Sequence, residues 1–258
     1  MRIIRTFILA LILAFALSHC TEDGDASTPS VLSGSYANIL TLGERLYVLA
    51  SGELHTFGLE DISSPQLLNS QEVNLSIESL FYNGENLFIG SSEGMYIYSI
   101  DENGIPQKQS VTRYEELVEF LPCDPIAANR QHAYVTLSTS VQASDACFRS
   151  VDINELLVYD ISEVQTPQLV SRIGMQEPKG IGLDGDLLFV CQRYDGIKVF
   201  DISEPANLVE LYHFGEFEAF DLIPTNGLLM VIGKDQIHQF DYSDKDNMYK
   251  LSSYDLKD

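Results

Sequence analysis

The 258-residue chain has no tryptophan, few cations and few cysteines. Fifteen Lys and Arg stand against 38 Asp and Glu, a formal net charge of −23 at pH 7. That shortage of cations argues against nucleic acid as a partner, because binding DNA or RNA needs a basic stripe that displaces counterions. It also argues against adhesion to anionic headgroups through a basic face. The four cysteines form no CxxC pair, and His132 and His213 stand alone, so no zinc-ligand spacing is present. GxSxG, HExxH, Walker and Rossmann patterns are missing too. The reading therefore holds no metal and no cofactor. What is there is 45% hydrophobic and 10% aromatic, too much for a disordered chain. The length suits one large all-β domain or two smaller ones, either able to bury a core.

The N-terminus reads as an export leader over residues 1–19. Arg2 and Arg5 supply its positive end, and Thr6–Leu17 is an apolar run too short to span a bilayer as a helix. The run ends at Leu17-Ser18-His19-Cys20, which resembles the bacterial lipobox and implies lipidation of Cys20. Cleavage after Ser18 or Ala16 is the alternative, leaving Cys20 as a spare thiol. Residues 20–35 follow as a polar tether without apolar periodicity. Its Glu22-Asp23 pair resembles the surface-export signal of Bacteroidota lipoproteins. The expected location is the outer membrane, lipid-anchored and surface-exposed, with membrane contact through the anchor alone. Loss of the leader removes two arginines and no acid, which makes the chain more acidic still.

Residues 36–258 are repetitive. Tyr47, Phe88, Tyr134, Phe189 and Met230 form one column, spaced by 41, 46, 55 and 41. Phe57, Tyr98, Tyr159, Phe200 and Phe240 form a second, spaced by 41, 61, 41 and 40. Both columns span 183 residues, so insertions lie inside repeats and the register recovers. The fourth repeat predicts four strands, Gly180–Leu183, Leu187–Cys191, Ile197–Asp201 and Leu208–His213. Asp184-Gly185 and Asp195-Gly196 are its turns. β-Branched and aromatic residues dominate the runs, and Pro65, Pro106, Pro167 and Pro205 fall in connections. Beyond the leader, one or two turns over Tyr114–Phe120 are the sole helical candidate. Four strands per repeat of about forty residues predict an all-β fold, a five-bladed β-propeller of four-stranded antiparallel blades. The absence of Trp excludes a WD-type ring. Closure is expected to bring the first and last blades together without a shared blade, unless Val31–Ser35 adds a strand.

Two stretches of the fourth repeat carry a resemblance. Gly180-Ile-Gly-Leu-Asp-Gly-Asp-Leu-Leu-Phe-Val and Gly196-Ile-Lys-Val-Phe-Asp-Ile-Ser-Glu-Pro are similar to the LVIVD repeat of bacterial and archaeal surface proteins. That resemblance implies a propeller at the cell surface and supplies no chemistry. The third repeat, with Cys123-Asp124-Pro125 and Cys147, resembles a Bacteroidota lipoprotein subfamily with such a cysteine pair.

Propeller topology assigns faces. The two columns are 10, 10, 25, 11 and 10 residues apart, so repeat three carries its extra residues around Ser138–Ile153, between its second and third strands. A smaller insertion falls near Arg113–Pro122, before its first strand. Both belong to one face, and long loops on a rigid scaffold are where function concentrates. Cys123 and Cys147 meet there by topology, and an oxidising envelope admits a disulfide closing a loop of about 25 residues, worth about 3 kcal/mol.

Aligned first strands place Glu78, Asp124, Lys179 and Asp221 at the channel mouth of the same face. These are the candidate binding residues for a protein or glycan. Glu78, Asp124 and Asp221 are the alternative catalytic set of a glycan hydrolase, in which two carboxylates flank the scissile bond. A solvated rim with weak ion pairs is the plainer reading of the same four residues. Cys191 reads as a buried apolar thiol. Asp241–Asn247 lacks the glycine and terminal Glu of a calcium loop and reads as a polar turn.

Overall fold

A computed structural model describes residues 37–73, 77–91, 94–114, 125–138 and 153–257, with side chains left aside at 77 and 78. The leader, the tether, Cys123, Asp124, Cys147 and the helical candidate beyond Tyr114 lie outside the described residues. Twenty strands form five antiparallel sheets of four. The first sheet holds β1 (Ile39–Leu42), β2 (Arg45–Ala50), β3 (Glu53–Gly58) and β4 (Gln66–Glu72). The second holds β5 (Ile77–Tyr82), β6 (Asn86–Ser91), β7 (Gly94–Ile100) and β8 (Pro106–Arg113). The third holds β9 (Ile126–Ala128), β10 (His132–Ser138), β11 (Asn154–Asp160) and β12 (Gln168–Gly174). The fourth holds β13 (Pro178–Asp184), β14 (Leu187–Gln192), β15 (Ile197–Asp201) and β16 (Val209–Phe214). The fifth holds β17 (Asp221–Thr225), β18 (Leu228–Ile232), β19 (Gln236–Asp241) and β20 (Tyr249–Asp255). In every sheet the strands are neighbours in chain order. First strands of successive sheets pack on one another, and last strands lie outermost and exposed. The chain is a five-bladed β-propeller.

Alternation along each strand decides how blades meet. On the second strand, Tyr47, Phe88, Tyr134 and Phe189 point forward to the next blade and are buried. On the third strand, Tyr98, Tyr159, Phe200 and Phe240 point back to the preceding blade and are buried in the same four clusters. Each seam is therefore a shared apolar cluster that holds one forward and one backward aromatic; in the last seam Phe189 packs on Tyr242 and Phe240 on Phe214, both with ring centres 4.9 Å apart. The backward aromatic follows a β-bulge in all five blades, between Thr56 and Phe57, Ile97 and Tyr98, Val158 and Tyr159, Val199 and Phe200, and Gln239 and Phe240. A bulge there sharpens the twist that turns the ring into the seam.

Buried polar groups stitch the same seams. Tyr47 donates to the Gly104 carbonyl (2.9 Å), Asn83 to the Asn129 carbonyl (2.8 Å), and Thr136 Oγ1 to the Lys179 carbonyl (2.8 Å). Tyr242 donates to Asp184 Oδ2 (2.6 Å). Burial pushes the Tyr47, Tyr98 and Tyr134 hydroxyls up to about 12.

Four seams are closed in this way and the fifth is not. Among the described residues no buried cluster joins the first and fifth sheets, and their strands do not pack extensively on each other. The expected closure between first and last blades is therefore not seen among the described residues.

Two predictions follow the seam geometry and its buried histidines. Phe189→Ala should cost about 3–5 kcal/mol, whereas Met230→Ala, at the same register in the last blade but half-exposed, should cost under about 1 kcal/mol. Chemical denaturation of the two variants checks the difference. His132 and His238 are held below the ordinary imidazole value, in both cases first by burial; Lys250 adds to this at His238, while Asp160 and Asp255 oppose it at the two sites. The unfolded chain therefore takes up protons before the folded one. Stability is full above a pH of about 6.5 and falls as pH drops through that value. Melting curves should decline on acidification from about pH 7.5 to about 5.5, and the paired His132→Gln and His238→Gln changes should flatten that limb.

Candidate functional site

The two insertions leave the scaffold at one face. The first lies between Arg113, at the end of β8, and Ile126, at the start of β9; the second lies between Ser138 of β10 and Asn154 of β11. Ser138 Oγ donates to Asn154 Oδ1 at 3.2 Å and ties the base of the longer loop. The corresponding connections in blade four are short, 174–178 and 192–197, so the described part of the face is built from them.

Arg193 is the residue around which this part is organised. It occupies the turn between β14 and β15, with its side chain largely buried. Its backbone N–H donates to the Glu177 carbonyl (3.1 Å), and its own carbonyl accepts from the Ala219 N–H (3.0 Å). One turn thereby connects the loop entering blade four to the loop entering blade five. The guanidinium stands 3.9 Å from Glu177 Oε2, 5.1 Å from the Tyr194 ring centre and 6.0 Å from the Phe220 ring centre. A guanidinium within about 6 Å of an aromatic face is attracted by the ring quadrupole, which helps to fix its position. Glu177 adopts φ +41°, a left-handed conformation uncommon for a residue with a side chain. Gln192 is buried beside them; its Oε1 accepts from the Gln176 N–H (3.2 Å), while Nε2 has no hydrogen-bond partner.

The residues expected at the channel mouth divide as follows. Lys179 lies on β13 and Asp221 opens β17, adjacent first strands that pack on each other. Asp221 Oδ1 accepts from the Leu222 N–H at 2.9 Å. Gly180 N–H donates to the Phe220 carbonyl (2.9 Å), and a Cβ at Gly180 would collide with the Asp221 carboxylate and the Phe220 carbonyl. Glycine is thus required there by the close approach of blades four and five. Glu78 lies on β5, a first strand, with its side chain outside the description. Asp124, Cys123 and Cys147 lie outside the described residues, so Lys179 and Asp221 are the members of the set that the structure brings together. Arg193, Glu177 and Gln192 were missed by sequence reading. One signal could have found the first: a cation in a short turn of a chain poor in cations.

Other candidates resolve into structural roles. Cys191 is a free, fully buried thiol, and burial, followed by the nearby Asp221 carboxylate, holds its pKa well above the ordinary value. It is therefore a poor nucleophile. The repeated Asp-x-Ser caps a turn on the opposite face. Oδ1 of Asp61, Asp201 and Asp241 accepts from both the N–H and the Oγ–H of the Ser two residues on. These bonds hold all three carboxyls below the usual range. Asp241 is committed in this way, and Asp244 Oδ1 accepts from the Asp246 N–H (3.0 Å), which makes that loop the polar turn expected. Among the described residues no group of three or more His, Cys, Asp or Glu is placed to hold a metal ion. No helix among them is long and apolar enough to cross a membrane.

No family model matches this chain, and no curated protein matches it significantly. Solved structures do. A functionally unknown protein from Desulfotomaculum acetoxidans is similar at TM-score 0.63 and 12% identity, over 82% of this chain and 67% of that one. The periplasmic gluconolactonase of Pseudomonas aeruginosa is similar at TM-score 0.56 and 14% identity, over 83% and 68%. A computationally designed protein is similar at TM-score 0.58 and 16% identity, over 84% and 60%. The chain thus spans between three fifths and about two thirds of these three structures. Likeness at such identity establishes the fold and leaves the chemistry to the site.

The site generates one prediction of its own. Gly180→Ala should destabilise the chain by about 1–3 kcal/mol, because the added methyl meets backbone and a carboxylate rather than open space. The same change at Gly185, where a Cβ would meet nothing within 4 Å, should cost only the strain of its positive φ. Thermal melts of both variants check this.

Proposed function

We propose that the chain is a non-catalytic cell-envelope module that presents one propeller face to a protein or glycan. The observation that carries this reading is the departure of both long insertions from the face where Lys179, Arg193 and Asp221 lie. A rigid propeller scaffold with two long insertions and a guanidinium beside two aromatic rings suits recognition: the scaffold fixes position, and the insertions supply contact area. The Cys123–Cys147 disulfide would hold the longer loop against the mouth and lower the entropy lost on binding. Lipidation at Cys20 would tether the module to the outer membrane, in keeping with its likeness to LVIVD surface proteins.

A glycan hydrolase using Glu78, Asp124 and Asp221 is the second reading. Asp221 supports it least, since one carboxylate oxygen is already engaged by the Leu222 amide. The periplasmic gluconolactonase shares the fold alone.

Capture of partners from intact envelopes by the wild-type chain tests the binding reading. Arg193→Ala and Cys147→Ser should each lower recovery several-fold while the propeller stays folded, with the melting temperature of the second falling by the loss of a cross-link worth about 3 kcal/mol; Tyr242→Phe on the opposite face should cost about 1.5 kcal/mol of stability and leave recovery intact. Cys20→Ser should move the protein out of the membrane fraction. Glycan turnover abolished by Asp124→Asn would favour the hydrolase instead.

A further inference from the structure

The two unmatched halves of the seam are both on the surface, at opposite ends of the blade series. At the last blade the forward face shows Met230, Ile223 and Ile237 half-buried, and Ile232 44% exposed. They line an apolar hollow of about 190 Å³. The residues at the same registers in blade four, Phe189, Cys191 and Ile197, are fully buried. At the first blade the backward face shows Leu46, Val48 and Phe57 half-buried, with Ile39 60% and Leu67 58% exposed. Their register equivalents, such as Leu87, Ile89 and Tyr98, are buried in the seam between blades one and two. Of each aromatic column one member is left uncovered, Phe57 in the first blade and Met230 in the last.

We infer that these two faces are complementary halves of one interface, and that a second copy of this chain docks head to tail, its first blade on the last blade of its neighbour. The internal seams are the template. Met230 stands where Tyr47, Phe88, Tyr134 and Phe189 stand, and Phe57 stands where the aromatics that close on them stand. The same chemistry that joins blade four to blade five joins copy to copy. Among the described residues, intramolecular closure does not satisfy these faces. The contact is heterologous, with different patches meeting, and it either closes into a ring or extends.

Sedimentation of the full-length protein at physiological salt, in mild detergent and over micromolar concentrations, tests this. The wild type should associate reversibly. Phe57→Glu and Met230→Glu should each weaken association at least about a hundredfold while keeping wild-type melting curves, since neither side chain is fully buried. Mixed together, the two variants should form a one-to-one pair, because Phe57→Glu retains the last-blade face and Met230→Glu retains the first-blade face. A wild type that stays monomeric throughout, or two variants that fail to pair when mixed while the wild type associates, would overturn the inference.

Discussion

The fold depends on one repeated device, an apolar cluster between blades to which one blade gives a forward-pointing aromatic and the next a backward-pointing one. Neither half is buried by its own sheet. A four-stranded sheet has two faces, and in this architecture both must be covered by neighbours, so no blade can be stable alone. The contact is large and apolar, and burying one such side chain is worth roughly 1.5–3 kcal/mol. The hydrogen bonds from Tyr47, Asn83, Thr136 and Tyr242 fix orientation rather than supply the driving force, because they exchange for water at modest net gain. The bulge before each backward aromatic belongs to the same device: without the added twist the ring would not enter the seam.

A series built from such contacts has ends. Interior blades satisfy both faces; the first satisfies only its forward face and the last only its backward one. The exposure of Phe57 and Met230 is therefore a property of position in the series and not of residue type, since both keep the hydrophobic character of their columns. Gln239 is a partial exception. It replaces the apolar Val199 of blade four at the same register, and its Nε2 lies 3.3 Å from Met230 Sδ. Polar substitution at that point softens an uncovered face without abolishing its apolar centre.

The two flat ends of the propeller have been put to different uses. On one, short turns are closed by Asp-x-Ser caps, and the acidic residues there are consumed by local hydrogen bonds. On the other, blade three grows its loops, and Arg193 gathers Glu177, Tyr194 and Phe220 while its backbone holds two inter-blade loops. A strongly acidic chain thus spends much of its acidity on turns. The two faces thus differ in their loops, although cations occur on both, with Arg45, Arg130 and Lys245 at the short turns.

Blade number, strand order, turn positions and the sites of both insertions were legible in the sequence. Each follows from a period: side chains alternate every two residues along a strand, and the seam aromatics return about every forty. Phe57 and Met230 belong to their columns by sequence and look no different from the buried members. That no cluster joins the first and last blades among the described residues is a matter of long-range packing that no local pattern encodes. Lys179 and Asp221 could be placed on neighbouring strands because strand register is periodic. Arg193, Glu177 and Gln192 could not, because they sit in turns outside that period and meet only when the loops entering blades four and five close on one another. The blade and its repetition follow from periods local to the chain, whereas which faces lack a neighbour is a matter of packing between sheets distant in sequence.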